Sequence, residues 1–94
     1  MKKSLLQTDK VCYFCGTPFQ LHYHHIFYGT SNRKLSDIDG CGVYLCVSHH
    51  TGSQGVHTNR KVDLALKAQC QLAWMEHYGK SVEDFIERYG KSYL

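Results

Sequence analysis

Two pairs of metal-binding residues constrain this chain more than any other feature in it. Cys12-x-x-Cys15 and Cys46-x-x-His49 share the same two-residue gap and lie roughly thirty residues apart. Such a gap lets both side chains of a pair reach one ion from a single turn, and zinc takes four soft or borderline ligands in a tetrahedron. The spacing therefore predicts a structural zinc site made by Cys12, Cys15, Cys46 and His49. His50 is the alternative fourth ligand, although the matching gap favours His49. Taken alone, Cys12-x-x-Cys15 also suits a thiol redox pair, but that reading lacks a surrounding βαβ pattern and leaves the histidines unexplained.

A staple of this kind fits the size of the chain. Its 94 residues allow one domain spanning 1–94, whose core is small. A bound ion can add something like 10 kcal/mol of apparent folding free energy to such a domain. The five cysteines are an odd number, which argues against a disulfide framework. With 43% hydrophobic and 20% charged residues, wholesale disorder is excluded. No apolar run approaches the roughly eighteen residues of a membrane span, and no export signal is evident, so the expected location is the cytoplasm. The net charge of +3 is compatible with a nucleic-acid partner without demanding one.

The sequence pattern predicts an α+β fold. Residues 1–10 have no periodicity and read as a flexible arm. Residues 11–61 form the metal-ligand-rich core, and residues 59–94 a helical packing region. Within the core, residues 20–28 are aromatic-rich and read as a strand, 29–42 as a polar loop carrying Arg33 and Lys34, and 43–45 as a second strand. Gly52 and Gly55 argue against a regular helix at 51–56. From about Asn59 to Tyr78 the apolar residues recur at helical spacing, and Gly79 is placed to cap that helix. Ser81 and Asp84 read as a capping box opening a short last helix, which Gly90 ends. Trp74, Met75 and Tyr78 exceed what so small a core needs, which makes a second copy of the chain a candidate partner. Cys41 and Cys70 lack spacing partners and read as buried thiols.

Six of the seven histidines lie between His22 and His57. With His49 assigned to zinc, a strand end (His24, His25), a knuckle exit (His50) and a helix start (His57) could converge on one point. Three neutral imidazoles can hold a divalent ion and leave positions open for a phosphate oxygen and water. A fourth, unligated, has a proton affinity suited to general-base work. Strand alternation opposes this, because His24 and His25 should point to opposite faces. The plainer alternative puts His22 and His24 on a solvated face and His25 in the core.

The combination Cys12-x-x-Cys15, His24-His25-Ile26-Phe27, Leu45-Cys46-x-x-His49-His50 and Gly55-Val56-His57 resembles the HNH endonucleases of the ββα-metal (His-Me finger) superfamily, over about residues 11–61. It looks closest to the small phage- and prophage-encoded type with a zinc knuckle pair. The resemblance implies a zinc-stapled ββα-metal fold with C-terminal helices, and metal-dependent hydrolysis of DNA. His25 would be the general base. His24, His50 and His57 would hold a catalytic divalent cation (Mg2+, Mn2+, Ni2+ or Zn2+) separate from the structural zinc, with His22 the reserve ligand.

Two positions depart from the family. The Asn that orients the general base is absent, and Cys41 stands in its place, with Asp39 or a backbone carbonyl as substitutes. His50 and His57 are also further apart in the chain than the family's last two ligands. As in that superfamily, Arg33, Lys34, Arg60 and Lys61 would grip DNA phosphates largely without reading bases, helped by backbone N–H groups at the helix start. A zinc module that binds DNA or protein without catalysis is the competing expectation.

Overall fold

The computed structural model describes residues 3–94. Strands β1 (Leu21–His25) and β2 (Gly42–Cys46) pair antiparallel, with His22 opposite Leu45 and His24 opposite Val43. Four helices complete the fold: α1 (Thr30–Asp39), α2 (Val47–His50), α3 (Arg60–Tyr78) and α4 (Val82–Tyr89). The architecture is α+β, a two-stranded sheet with helices. Among the described residues no helix is long and apolar enough to cross a membrane.

The main departure from expectation is α1, which occupies the segment read as a polar loop. Its inward face is polar, so no apolar period announces it. Ser36 is fully buried and its hydroxyl both donates to Phe27 O (2.6 Å) and accepts from Phe27 N (3.2 Å). Asp39, at the other end of that face, accepts from Trp74 Nε1 (2.8 Å), Tyr89 Oη (2.7 Å) and both Arg88 Nε (2.6 Å) and Nη2 (2.7 Å). Burial opposes the charge on Asp39, but these donors, led by Arg88, hold its carboxyl below the usual range. One carboxylate thus ties α1 to α3 and α4. Arg33 and Lys34 accordingly sit on a helix, where backbone hydrogen bonds fix their positions.

The C-terminal region follows its periodicity. Asn59 Oδ1 accepts from Lys61 N and Val62 N at the start of α3, and Gly79 closes that helix in the left-handed region at φ 61°. Both halves of the Ser81–Asp84 box are made, at 3.1 and 2.9 Å. Trp74 lies edge-on to Phe85 at 5.3 Å, and Phe85 stacks on Tyr89 at 4.8 Å. Phe27 packs against both. Trp74 is buried, and Met75 and Tyr78 pack against the same core.

Over its described part, the arm expected to be loose is docked. Leu5 N donates to Gly40 O (2.9 Å), Gln7 Oε1 accepts from Tyr44 N (2.8 Å), and Leu5 and Leu6 pack against the core. Met1 and Lys2 lie outside the described residues.

Candidate metal centres

Cys12, Cys15, Cys46 and His49 lie together, their ligand atoms all within 4.8 Å of one another, and could bind a metal such as zinc. Cys12 and Cys15 flank a turn in which Gly16 N donates to Cys12 O (2.8 Å). Cys46 ends β2, and His49 is one turn later on α2. Cys15 Sγ is 3.8 Å from Cys46 Sγ, and His49 Nδ1 is 3.7 Å from Cys12 Sγ and 3.2 Å from Cys46 Sγ. A tetrahedron with zinc–sulfur bonds of about 2.3 Å has sulfur–sulfur edges of about 3.8 Å, so this spacing suits the ion. Burial disfavours the Cys12 thiolate, but backbone hydrogen bonds from Cys46, Cys15 and Phe14 outweigh it and bring that thiol down to about 6. The thiolate is the form that ligates. Of the two candidate fourth ligands, His49 is the one in this cluster; His50 faces elsewhere.

Where it faces is settled by a folded-back loop. After α2, Val56 N donates to His49 O (3.1 Å) and His57 N to His50 O (3.2 Å). The chain between them turns tightly, Gly55 N donating to Gly52 O (2.9 Å). Glycine is needed for space: a Cβ on Gly55 would lie 2.6 Å from His50 O, and one on Gly52 2.8 Å from Ser48 O. The six residues between His50 and His57 are therefore a closed loop, and the two rings meet with Nε2 atoms 3.1 Å apart.

His24 completes a second group, with its ring 5.3 Å from those of both His50 and His57. The ligand nitrogens of the three lie within 4.8 Å of one another. His24 is 3% exposed, and its Nε2 is buried without a hydrogen-bond partner. A buried, unpartnered imidazole nitrogen is costly unless an ion or water meets it, so the donor set fits a divalent metal. Burial, then the neighbouring His50, His57, Lys67 and His25, push His24 down to about 3. Burial, then His57 and His22, lower His50 as well. Both shifts favour the neutral ring, the form that ligates.

His25 leaves the opposite face of β1, yet the strand ends there and both neighbours border one hollow of about 250 Å³, shared with Tyr28, Arg33, His50 and His57. Alternation separates the two rings without removing either from the site. His25 Nε2 lies 3.4 Å from Asp37 Oδ1. No sequence signal marks Asp37, because α1 lacks an apolar period; Asp39, the acidic residue nearest the position of the missing Asn, is occupied by Trp74, Arg88 and Tyr89. Tyr28 is the other addition. Its ring lies 6.0 Å from His24 and 5.7 Å from His57, its hydroxyl donates to Asp63 (3.1 Å), and Lys67 Nζ sits 4.0 Å over its face.

Arg33, Lys34, Arg60 and Lys61 are all exposed. Arg33 borders the histidine hollow and also an adjoining one of about 370 Å³, which reaches Lys34 and shares His25. Arg60 and Lys61 open α3, three and four residues beyond His57. The helix-start N–H groups of Lys61 and Val62 already donate to Asn59 Oδ1 and are not free to meet an anion. A larger hollow of about 630 Å³ beside Asp39 and Arg88 lies away from the histidines. Cys41 and Cys70 are both fully buried, as expected of structural thiols. Comparison with protein-family models, curated proteins and solved structures found no match.

Proposed function

We propose that this chain is a metal-dependent DNA endonuclease or nickase of the ββα-metal (HNH) type, acting in phage DNA processing or recombination in the cytoplasm of a bacterial or phage-infected cell. The observation that carries the reading is one hollow bordered by two kinds of histidine: His24, His50 and His57 with converging nitrogens, and His25 beside a carboxylate. A divalent cation held by the three would supply Lewis-acid stabilisation of charge on the phosphate and the departing 3′ oxygen. With His25 Nε2 turned to Asp37, Nδ1 is the nitrogen left to take a proton from the attacking water. Asp37 steadies the ring, the part an Asn or carboxylate plays beside a catalytic histidine. Arg33 and Lys34 on α1 and Arg60 and Lys61 at the start of α3, all exposed, would hold the phosphates of a DNA strand without reading its bases. Cys12, Cys15, Cys46 and His49 keep zinc as a structural ion that fixes α2, and with it His50.

A supercoiled-plasmid nicking assay with magnesium, manganese or nickel tests this. Wild type is expected to nick, and His25→Ala to lose roughly 10²- to 10⁴-fold in rate. Equal rates in the two would remove His25 from the chemistry. Absence of cleavage with every metal would leave the chain as a zinc module that binds DNA or protein.

A further inference from the structure

A fourth histidine, His22, adjoins this group but lies outside the set of converging ligand nitrogens. His50 stands between two imidazoles: its Nε2 is 3.1 Å from His57 Nε2, and its Nδ1 is 3.0 Å from His22 Nδ1. His22 precedes His24 by two positions on β1, so both side chains leave the same face, His24 inward and His22 at the exposed rim. Its ring meets that of His50 edge-on, 75° between planes. Among the described residues the His22 ring makes no other hydrogen bond.

A neutral imidazole carries one N–H and one lone pair, and only the bare nitrogen can bind a metal. Two nitrogens 3.0 Å apart must share one proton between them. We propose that His22 is a positioning residue for the histidine metal site. Its Nδ1 accepts the proton carried on His50 Nδ1, which leaves a lone pair on His50 Nε2 facing the point shared with His57 and His24. His22 in turn carries its own proton on Nε2, at the solvent side. Partners that fix the tautomer and tilt of a ligating histidine change metal affinity by roughly 10- to 100-fold when removed. The inference rests on reading His24, His50 and His57 as an ion site, and stands apart from whether that ion cuts DNA.

The test is cobalt(II) or nickel(II) titration of the zinc-loaded full chain, followed by calorimetry and visible absorption, for wild type, His22→Ala and His22→Gln. His57→Ala locates the ion at the histidine group. Wild type is expected to take up one ion beyond zinc. His22→Ala should bind it roughly 10- to 100-fold more weakly with zinc content unchanged. His22→Gln, whose amide oxygen can accept the same N–H, should recover most of the loss. Long-range nitrogen–proton spectra of the metal-free histidine site should show His50 protonated on Nδ1 in wild type and as a mixture in His22→Ala, which a merely structural residue would not produce.

Unchanged affinity in His22→Ala, or wild-type His50 protonated on Nε2, overturns the proposal. A cobalt spectrum that loses one nitrogen ligand in His22→Ala also overturns it, by making His22 a ligand. Wild type that binds the ion and nicks no plasmid sinks the nuclease reading alone; wild type that takes up no second ion removes both.

Discussion

The two ligand groups of this molecule are assembled in opposite ways. The cysteine-rich group is built from local pairs: Cys12 with Cys15, and Cys46 with His49, each closed within a turn. Only the meeting of the pairs depends on the fold. The histidine group has no such pair. His24 comes from a strand, His50 from the end of a four-residue helix, and His57 from a glycine loop folded back on that helix. On the proposed reading the first group, once it holds zinc, would staple the protein, and the second would be assembled by the stapled protein. Stability should therefore follow the cysteines, while ion binding at the hollow should follow the backbone between His50 and His57.

The widest separation is expected from Cys12→Ser against His57→Ala. Loss of one thiolate from the four-ligand set should release the zinc and cost up to about 10 kcal/mol of apparent stability, enough to abolish the cooperative melt. His57 is exposed, and its removal should leave zinc content intact and stability within about 1 kcal/mol. Metal analysis and thermal melting by circular dichroism read both. A Cys12→Ser chain that melts like wild type would end the division of labour.

Acid should expose the second group next. In the unfolded chain His24 protonates near its ordinary 6.5, whereas in the folded chain burial, and then the neighbouring His50, His57, Lys67 and His25, hold it near 3. Between those values the unfolded state binds more protons, so stability falls as pH falls, with a slope approaching about 1.4 kcal/mol per pH unit. Urea midpoints across that window should decline more steeply for wild type than for His24→Gln, which has no proton to gain; the shared loss of zinc ligation in acid cancels in the comparison. Parallel declines would mean that His24 is not the buried neutral imidazole described.

The same contrast explains what could be read before the fold was known. Cys12-x-x-Cys15 and Cys46-x-x-His49 are visible because local spacing carries their geometry, as it does for the Asn59–Tyr78 periodicity and the Ser81–Asp84 box. Helix α1 was invisible because Ser36 and Asp39, its inward residues, satisfy the interior by hydrogen bonding, and hydrophobic periodicity is blind to that. With α1 went Asp37, whose contact with His25 exists only because the helix turns it toward β1. His22 was legible as a histidine in reserve, but its place on the far nitrogen of His50 depends on how α2 is held. The paired glycines at 52 and 55 show in the sequence only as helix breakers; in the fold they make room for backbone rather than for a turn angle.

That role supports the finest distinction between the two groups. Gly55→Ala would set a methyl 2.6 Å from His50 O and 2.9 Å from Gly52 O, both backbone atoms that cannot swing aside. The loop must open, and the His57 N–His50 O bond that registers one imidazole on the other is the first to lengthen. Overpacking of this kind costs about 1–3 kcal/mol, less than the fold can lose with its zinc in place. Cobalt affinity at the histidine group should fall by about tenfold or more, since a shift of about 1 Å in one ligand is enough to spoil a three-nitrogen site. Gly16→Ala is the matching change in a cysteine knuckle. It meets no atom within 4 Å but holds φ at +79°, so it should cost about 1 kcal/mol of backbone strain and leave the histidine site as it was. Equal cobalt affinity in the two glycine variants would show that the loop does not set the His50–His57 approach, and the histidines would then be a surface cluster that the cysteines merely adjoin.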